Sequence, residues 1–220
     1  MIENSILSFD LDFTLIDNRE GIIGSFHYAL MKYNLPDLSN NQIENMIGTP
    51  LDKFFSQISD LEPHLLTSAF REYYGAKGIY QVKLLDGVKT KLKELKNYGF
   101  KLGVITSKKE EMAQKLLENL GIQKYFDYIY GETDEIKSKS DIKLKERLRN
   151  QYPEHQFVII GDHPSDRRLA EMLNSPFIGV LTGFNSKEQL EHNAKTKIII
   201  LNSINDITLD IIKSFFNNLF

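Results

Sequence analysis

"SILSFDLDFTLIDN", residues 5–18, is an apolar run that climbs into two aspartates one residue apart. A short, mainly apolar segment of this kind fits a strand buried on both faces, as in a parallel sheet. In open α/β sheets ligands sit beyond the carboxyl ends of the strands, and Asp10 and Asp12 fall there. Two carboxylates about 4 Å apart repel by roughly 4 kcal/mol at an effective dielectric near 20. A hard divalent cation offsets that repulsion, and Mg²⁺ favours one or two carboxylates together with waters and a phosphate oxygen. An isolated Asp-Leu-Asp also serves as an ordinary turn or helix cap, so the other strand ends must decide between the two.

Working outward, short apolar runs recur at 102–106 ("LGVIT"), 126–131 ("FDYIYG"), 157–162 ("FVIIGD"), 177–181 ("FIGVL") and 197–201 ("KIIIL"). Helical spacing fills the intervals 86–98, 108–120, 141–150, 166–174, 187–193 and 203–219. Ser107 with Glu110 and Ser186 with Gln189 read as capping boxes, while Gly99 and Gly121 stand at helix stops. This βαβ alternation predicts a doubly wound, Rossmann-like α/β core with a parallel sheet. One interval breaks the rhythm. Between Asp17 and Leu84 the apolar spacing is helical and no buried strand is evident, so residues 17–84 are expected to form an inserted helical unit between core segments 1–16 and 85–220. Its aromatics, Phe26, Tyr28, Tyr33, Phe54, Phe55, Phe70, Tyr73 and Tyr74, are expected mostly to pack a small bundle core.

The chain has 220 residues, enough for one domain with a modest insertion, and its net charge is −3 with acids and bases interspersed. That balance offers no field for gripping nucleic acid or an anionic membrane. Cysteine is absent from the sequence, which removes disulfides and thiolate chemistry and fits a reducing cytoplasm. No run approaches the roughly 18 apolar residues of a membrane span, and a soluble cytoplasmic protein, monomeric or homodimeric, is expected.

The remaining strand ends repeat the chemistry of the first. "LGVIT" finishes on Thr106 and Ser107, and "FVIIGD" on Gly161 and Asp162, with Asp166 four residues later. A lysine-rich stretch, "EIKSKSDIK", follows the "FDYIYG" strand. Carboxylates, a hydroxyl and an ammonium therefore recur at one edge of the predicted sheet.

Taken in order, these motifs resemble those of haloacid dehalogenase superfamily phosphatases with an α-helical cap between the first and second motifs, of the phosphoglycolate phosphatase type. The first motif, Asp-x-Asp-x-Thr, matches Asp10, Asp12 and Thr14. Thr106 matches the second, and Gly161, Asp162 and Asp166 match the fourth. The third, normally Lys-Pro, has no Pro here; Lys139 is the better match and Lys137 the alternative. Phe13 stands where members usually carry Gly.

The resemblance implies a phosphatase that hydrolyses a small phosphate monoester. Asp10 would be the nucleophile, forming an aspartyl-phosphate, and Asp12 the acid and base. Mg²⁺ would be held by the Asp10 carboxylate, the backbone carbonyl of Asp12 and Asp162, with Asp166 ordering the shell. Thr106 and Lys139 would bind the phosphoryl oxygens, with Ser107 beside them but read chiefly as an N-cap. Thr49, in "IGTPL", would face substrate from the cap. His163 lies inside the fourth motif with no role assigned, and the other four histidines show no ligand spacing. A calcium loop of the EF-hand type fails, since Leu15 and Gly21 occupy the positions that need Gly and Glu. A phosphomutase and a catalytically silent binding protein are the alternatives on the same fold. The implied partner is a small phosphorylated metabolite, whose identity the sequence leaves open.

Overall fold

The computed structural model describes residues 4–47 and 49–216. The chain divides into two compact units, one comprising Met1–Ile16 with Leu84–Phe220 and the other Asp17–Lys83.

The larger unit is built on six strands, all parallel: β1 (Ser5–Phe9), β4 (Lys101–Lys109), β5 (Tyr128–Glu132), β6 (Gln156–Gly161), β7 (Phe177–Val180) and β8 (Ile198–Leu201). Two short strands, β2 (Ile16–Asp17) and β3 (Lys83–Leu84), mark the crossings between the units. The sheet order is β5-β4-β1-β6-β7-β8. From β1 the chain builds first toward β5 and then, through β6, toward β8. β1 is thus the point where the winding reverses, the place where open α/β sheets bind ligands. Its neighbours on either side are β4 and β6, so the residues ending these three strands lie side by side.

Every residue of β1 is buried, as are Leu102 to Thr106 of β4 and Phe157 to Gly161 of β6. Helices α5 (Val88–Asn97), α6 (Glu110–Asn119), α7 (Ile142–Gln151), α8 (Pro164–Met172), α9 (Lys187–Glu191) and α10 (Leu209–Phe216) flank the sheet in sequence. The expected α/β fold is present. Ser186 and Gln189 form the capping box expected at α9. Gly99 and Gly121 adopt φ of 89° and 68° just past α5 and α6, the left-handed stop that glycine accepts without strain.

The capping box expected at Ser107 is absent. β4 continues to Lys109, which pairs with Glu132, so α6 starts two residues later and its N-cap is Lys109. Glu110 turns instead to Arg147, at 2.8 and 3.1 Å, and accepts the Gly131 N–H. The C-terminal helix is also shorter than its apolar spacing predicts, with a 3₁₀ turn at Ile204–Asp206 before α10; residues 217–219 of that expectation lie outside the described residues.

The smaller unit carries α1 (Arg19–Lys32), α2 (Asn40–Glu44), α3 (Leu51–Ile58) and α4 (Pro63–Ala76). Phe26, Phe54, Phe55 and Phe70 are buried together with Ala29, Ile43, Leu66 and Ala69. Each phenylalanine side chain taken from water stabilises the unit by about 1.5–3 kcal/mol. The tyrosines divide from the phenylalanines because a phenol keeps its hydroxyl wet. Tyr28, Tyr33 and Tyr74 pack partly buried against this core, and Tyr28 donates to Glu72.

Candidate active site

Asp10 and Asp162 follow the last residues of β1 and β6, and Thr106 closes the buried part of β4 beside them. Asp10 extends the strand ladder, its N–H bonded to the Ile160 carbonyl at 2.8 Å, which fixes where its side chain leaves the sheet. All three residues are buried. Asp166 sits in the first turn of α8 and accepts the backbone N–H of His163 through Oδ2. His163 in turn caps α8 by accepting the Ser165 N–H on Nδ1. Burial pushes its imidazole below the ordinary histidine pKa, consistent with a neutral capping role.

Carboxylate oxygens of Asp10, Asp162 and Asp166 lie within 4.8 Å of one another. Lys139, from the segment between β5 and α7, enters this cluster and donates to Asp10 Oδ1 at 2.5 Å and Asp166 Oδ1 at 2.6 Å. It is only 5% exposed. Lys137 is exposed, and its backbone N–H bonds Asp141. Of the two candidate lysines, Lys139 is the one that reaches the carboxylates.

One ammonium does not balance three buried carboxylates. Burial, opposed by Lys139 and reinforced by Asp166 and Asp12, pushes Asp10 up to about 7. Burial together with the Asp10 and Asp166 charges pushes Asp162 well above the usual carboxylate range. Burial works against the Lys139 ammonium too, but Asp10 and Asp166 outweigh it and hold its pKa above the ordinary lysine value. Uncompensated negative charge on hard oxygen donors is what a divalent cation such as Mg²⁺ would neutralise, so the donor set fits that ion.

Asp12 stands apart from the carboxylate cluster. It is half-buried, and Lys108 Nζ bridges both its oxygens, at 2.8 Å to Oδ1 and 2.9 Å to Oδ2. Lys108 also donates its backbone N–H to Thr106 Oγ1 at 3.2 Å. Thr14 donates to Asp162 Oδ1 at 3.2 Å, tying the first motif to the fourth. Ser107 is exposed beside Thr106. Thr49 belongs to the smaller unit, half-buried, with its N–H on the Met46 carbonyl.

Phe13 occupies a left-handed backbone position with φ of 54°, a conformation that glycine adopts without strain. A bulky L residue there carries a strain of order 1–3 kcal/mol that surrounding contacts must offset. The ring is buried and meets Phe184 edge to face at 4.9 Å, and the Phe13 carbonyl accepts the Thr182 hydroxyl at 2.5 Å.

The sequence matches the family of haloacid dehalogenase-like hydrolases over residues 7–180, more than half of its length. The chain belongs to this family. A haloacid dehalogenase-like family hydrolase from Streptococcus pneumoniae superposes with a TM-score of 0.82 at 29% identity, covering 98% of this chain and 100% of its own. The probable phosphatase IndB of Dickeya dadantii is 31% identical over 89% of this chain and 88% of its own length. A phosphoglycolate phosphatase of Vibrio parahaemolyticus is 25% identical over 84% and 87%. Membership of the haloacid dehalogenase-like hydrolases accords with the motif resemblance drawn from Asp10, Asp12, Thr14, Thr106, Gly161, Asp162 and Asp166. Lys108 is the site residue that the sequence reading overlooked. Its position two residues after Thr106 is the only signal, because its partner lies 96 positions away.

Proposed function

We propose that this haloacid dehalogenase-like hydrolase is a Mg²⁺-dependent phosphatase of a small phosphate monoester, working through an aspartyl-phosphate on Asp10. The observation that carries this reading is the buried set of Asp10, Asp162 and Asp166 around Lys139 at the reversal point of the sheet. Phosphate monoesters hydrolyse extremely slowly in water, so this concentration of charge answers a chemical need.

In the proposed reaction an Asp10 carboxylate oxygen bonds to phosphorus as the bond from phosphorus to the leaving oxygen breaks, and the Asp12 carboxyl gives its proton to that oxygen. Water then attacks the phosphorus of the acyl phosphate. Asp12 takes the proton of that water, phosphate leaves and the Asp10 carboxylate is restored. Thr106 and Lys139 bind the phosphoryl oxygens and stabilise the charge that develops on them. Asp10, the Asp12 backbone carbonyl and Asp162 would hold Mg²⁺, with Asp166 orienting the set. When bound, the cation lowers the repulsion between the carboxylate nucleophile and the phosphoryl oxygens.

The smaller unit acts as the cap that selects substrate, with Thr49 among its contacts. A small ester of the phosphoglycolate type fits the resemblance, and the net charge of −3 argues against nucleic acid as a partner. No helix among the described residues is long and apolar enough to cross a membrane. The proposed setting is the cytoplasm, as monomer or homodimer. Assaying purified protein against a panel of phosphate esters, with Mg²⁺ and with EDTA, tests this reading. Release of inorganic phosphate only with Mg²⁺ supports it, and undiminished turnover in chelator refutes it.

A further inference from the structure

The segment following β7, "LTGFN" at 181–185, meets both catalytic loops. Thr182 Oγ1 donates to the Phe13 carbonyl at 2.5 Å, and the Phe184 ring stands edge-on to Phe13 at 85°. Between them, Gly183 leaves room for a buried carboxylate: a Cβ built there would lie 1.9 Å from Asp162 Oδ2. Asp162 is itself bonded to Thr14, next in sequence to Phe13. One short loop therefore touches the nucleophile loop twice and the fourth motif once.

Phe13 lies directly between Asp12 and Thr14, so its backbone sets how the Asp10 to Thr14 turn is aimed. With glycine at this position the left-handed turn forms without penalty and needs no partner. With phenylalanine it persists only where other contacts over-determine it. We propose that Phe13 and Phe184, together with the Thr182 hydroxyl, form a mutually dependent positioning clamp that holds the nucleophile loop. The clamp offsets the strain of a bulky residue at that left-handed position, and its residues act through Asp10 and Asp12 without touching substrate. Because a small misplacement of reacting groups slows chemistry more than it weakens binding, loosening the clamp lowers kcat and leaves KM nearly unchanged.

This inference rests on the phosphatase reading and is tested by a double-mutant cycle on the full chain, with p-nitrophenyl phosphate and Mg²⁺. Phe184→Ala should lower kcat about tenfold in the wild-type background and less than about threefold in the Phe13→Gly background, with KM within about twofold throughout. Equal losses in both backgrounds would overturn the clamp. If Phe184→Ala does not fold, Thr182 decides: Thr182→Val should cost about tenfold in kcat while Thr182→Ser, which keeps the hydroxyl, costs under about threefold. Equal activity of those two variants would overturn it. Should the wild-type protein hydrolyse no aryl phosphate, the functional reading has failed, and the clamp is judged by urea unfolding of the same cycle. There, non-additive midpoints sustain it and additive midpoints overturn it.

Discussion

Lys108 Nζ bridges both carboxylate oxygens of Asp12, at 2.8 and 2.9 Å, with the lysine side chain 11% exposed. The contact fixes the direction of the carboxyl proposed as acid and base, from a strand that also carries Thr106. Lys108→Met should therefore lower kcat on an alkyl phosphate by about tenfold, a part of the 10²- to 10⁴-fold that general acid and base catalysis supplies. Steady-state kinetics check this, and an unchanged kcat would remove Lys108 from the machinery.

Lys139 and Lys137 make opposite predictions although they stand two residues apart. Lys139→Met leaves three buried carboxylates without their ammonium, so it should destabilise the metal-free protein by about 3 kcal/mol or more. It should also cost at least 10²-fold in kcat through the lost phosphoryl contact. Lys137→Met, at an exposed side chain, should change stability by less than about 0.5 kcal/mol. Chemical unfolding and kinetics of the two variants separate them.

The raised pKa values of Asp10 and Asp162 give a pH dependence with a definite sign. Both carboxyls hold their protons more tightly folded than unfolded, so the metal-free fold binds excess protons from the ordinary carboxylate range up to about pH 7, the value for Asp10. Stability from this pair falls as pH rises through that window. Mg²⁺ reverses the penalty by releasing those protons. Saturating Mg²⁺ should raise the thermal midpoint by about 5–10 °C at pH 8 and by less than half as much at pH 5. Equal shifts at the two pH values would contradict the carboxylate cluster as the metal site.

Gly183→Ala places a methyl where Asp162 Oδ2 lies, and Asp162 is buried with its other oxygen tied to Thr14. The carboxylate has to move. The expected result is about a tenfold or greater rise in the Mg²⁺ concentration giving half-maximal activity, as for other changes to groups that orient metal ligands. Titration of activity with Mg²⁺ measures it, and an unaltered requirement would mean Asp162 does not bind the ion.

The fold was legible because a parallel sheet buries both faces of its strands, so β1, β4 and β6 stand out as mainly apolar runs. Asp10, Thr106 and Asp162 were legible for the same reason, each ending such a run. Lys108 was not, since a lysine in "TSKK" looks like solvated charge until its partner, 96 positions away, is seen. Spacing could not choose between Lys137 and Lys139, because burial in the segment before α7 decides which one points inward. Ser107 was misread as an N-cap because strand pairing through Lys109 and Glu132 overrode a local capping signal. Phe13 was visible as a departure, but Phe184, which packs against it, carries no motif.

The central claim gives Asp10 and Asp12 different roles. Rapid quench of Asp12→Asn with an aryl phosphate, followed by mass spectrometry of the digested protein, tests it most directly. An aryl leaving group needs no proton, so phosphorylation should proceed while hydrolysis of the acyl phosphate, deprived of its base, stalls. The account predicts one added phosphoryl group on Asp10 in Asp12→Asn and none in Asp10→Asn. A phosphoryl group at another residue, or near-native turnover by Asp10→Asn, would contradict it.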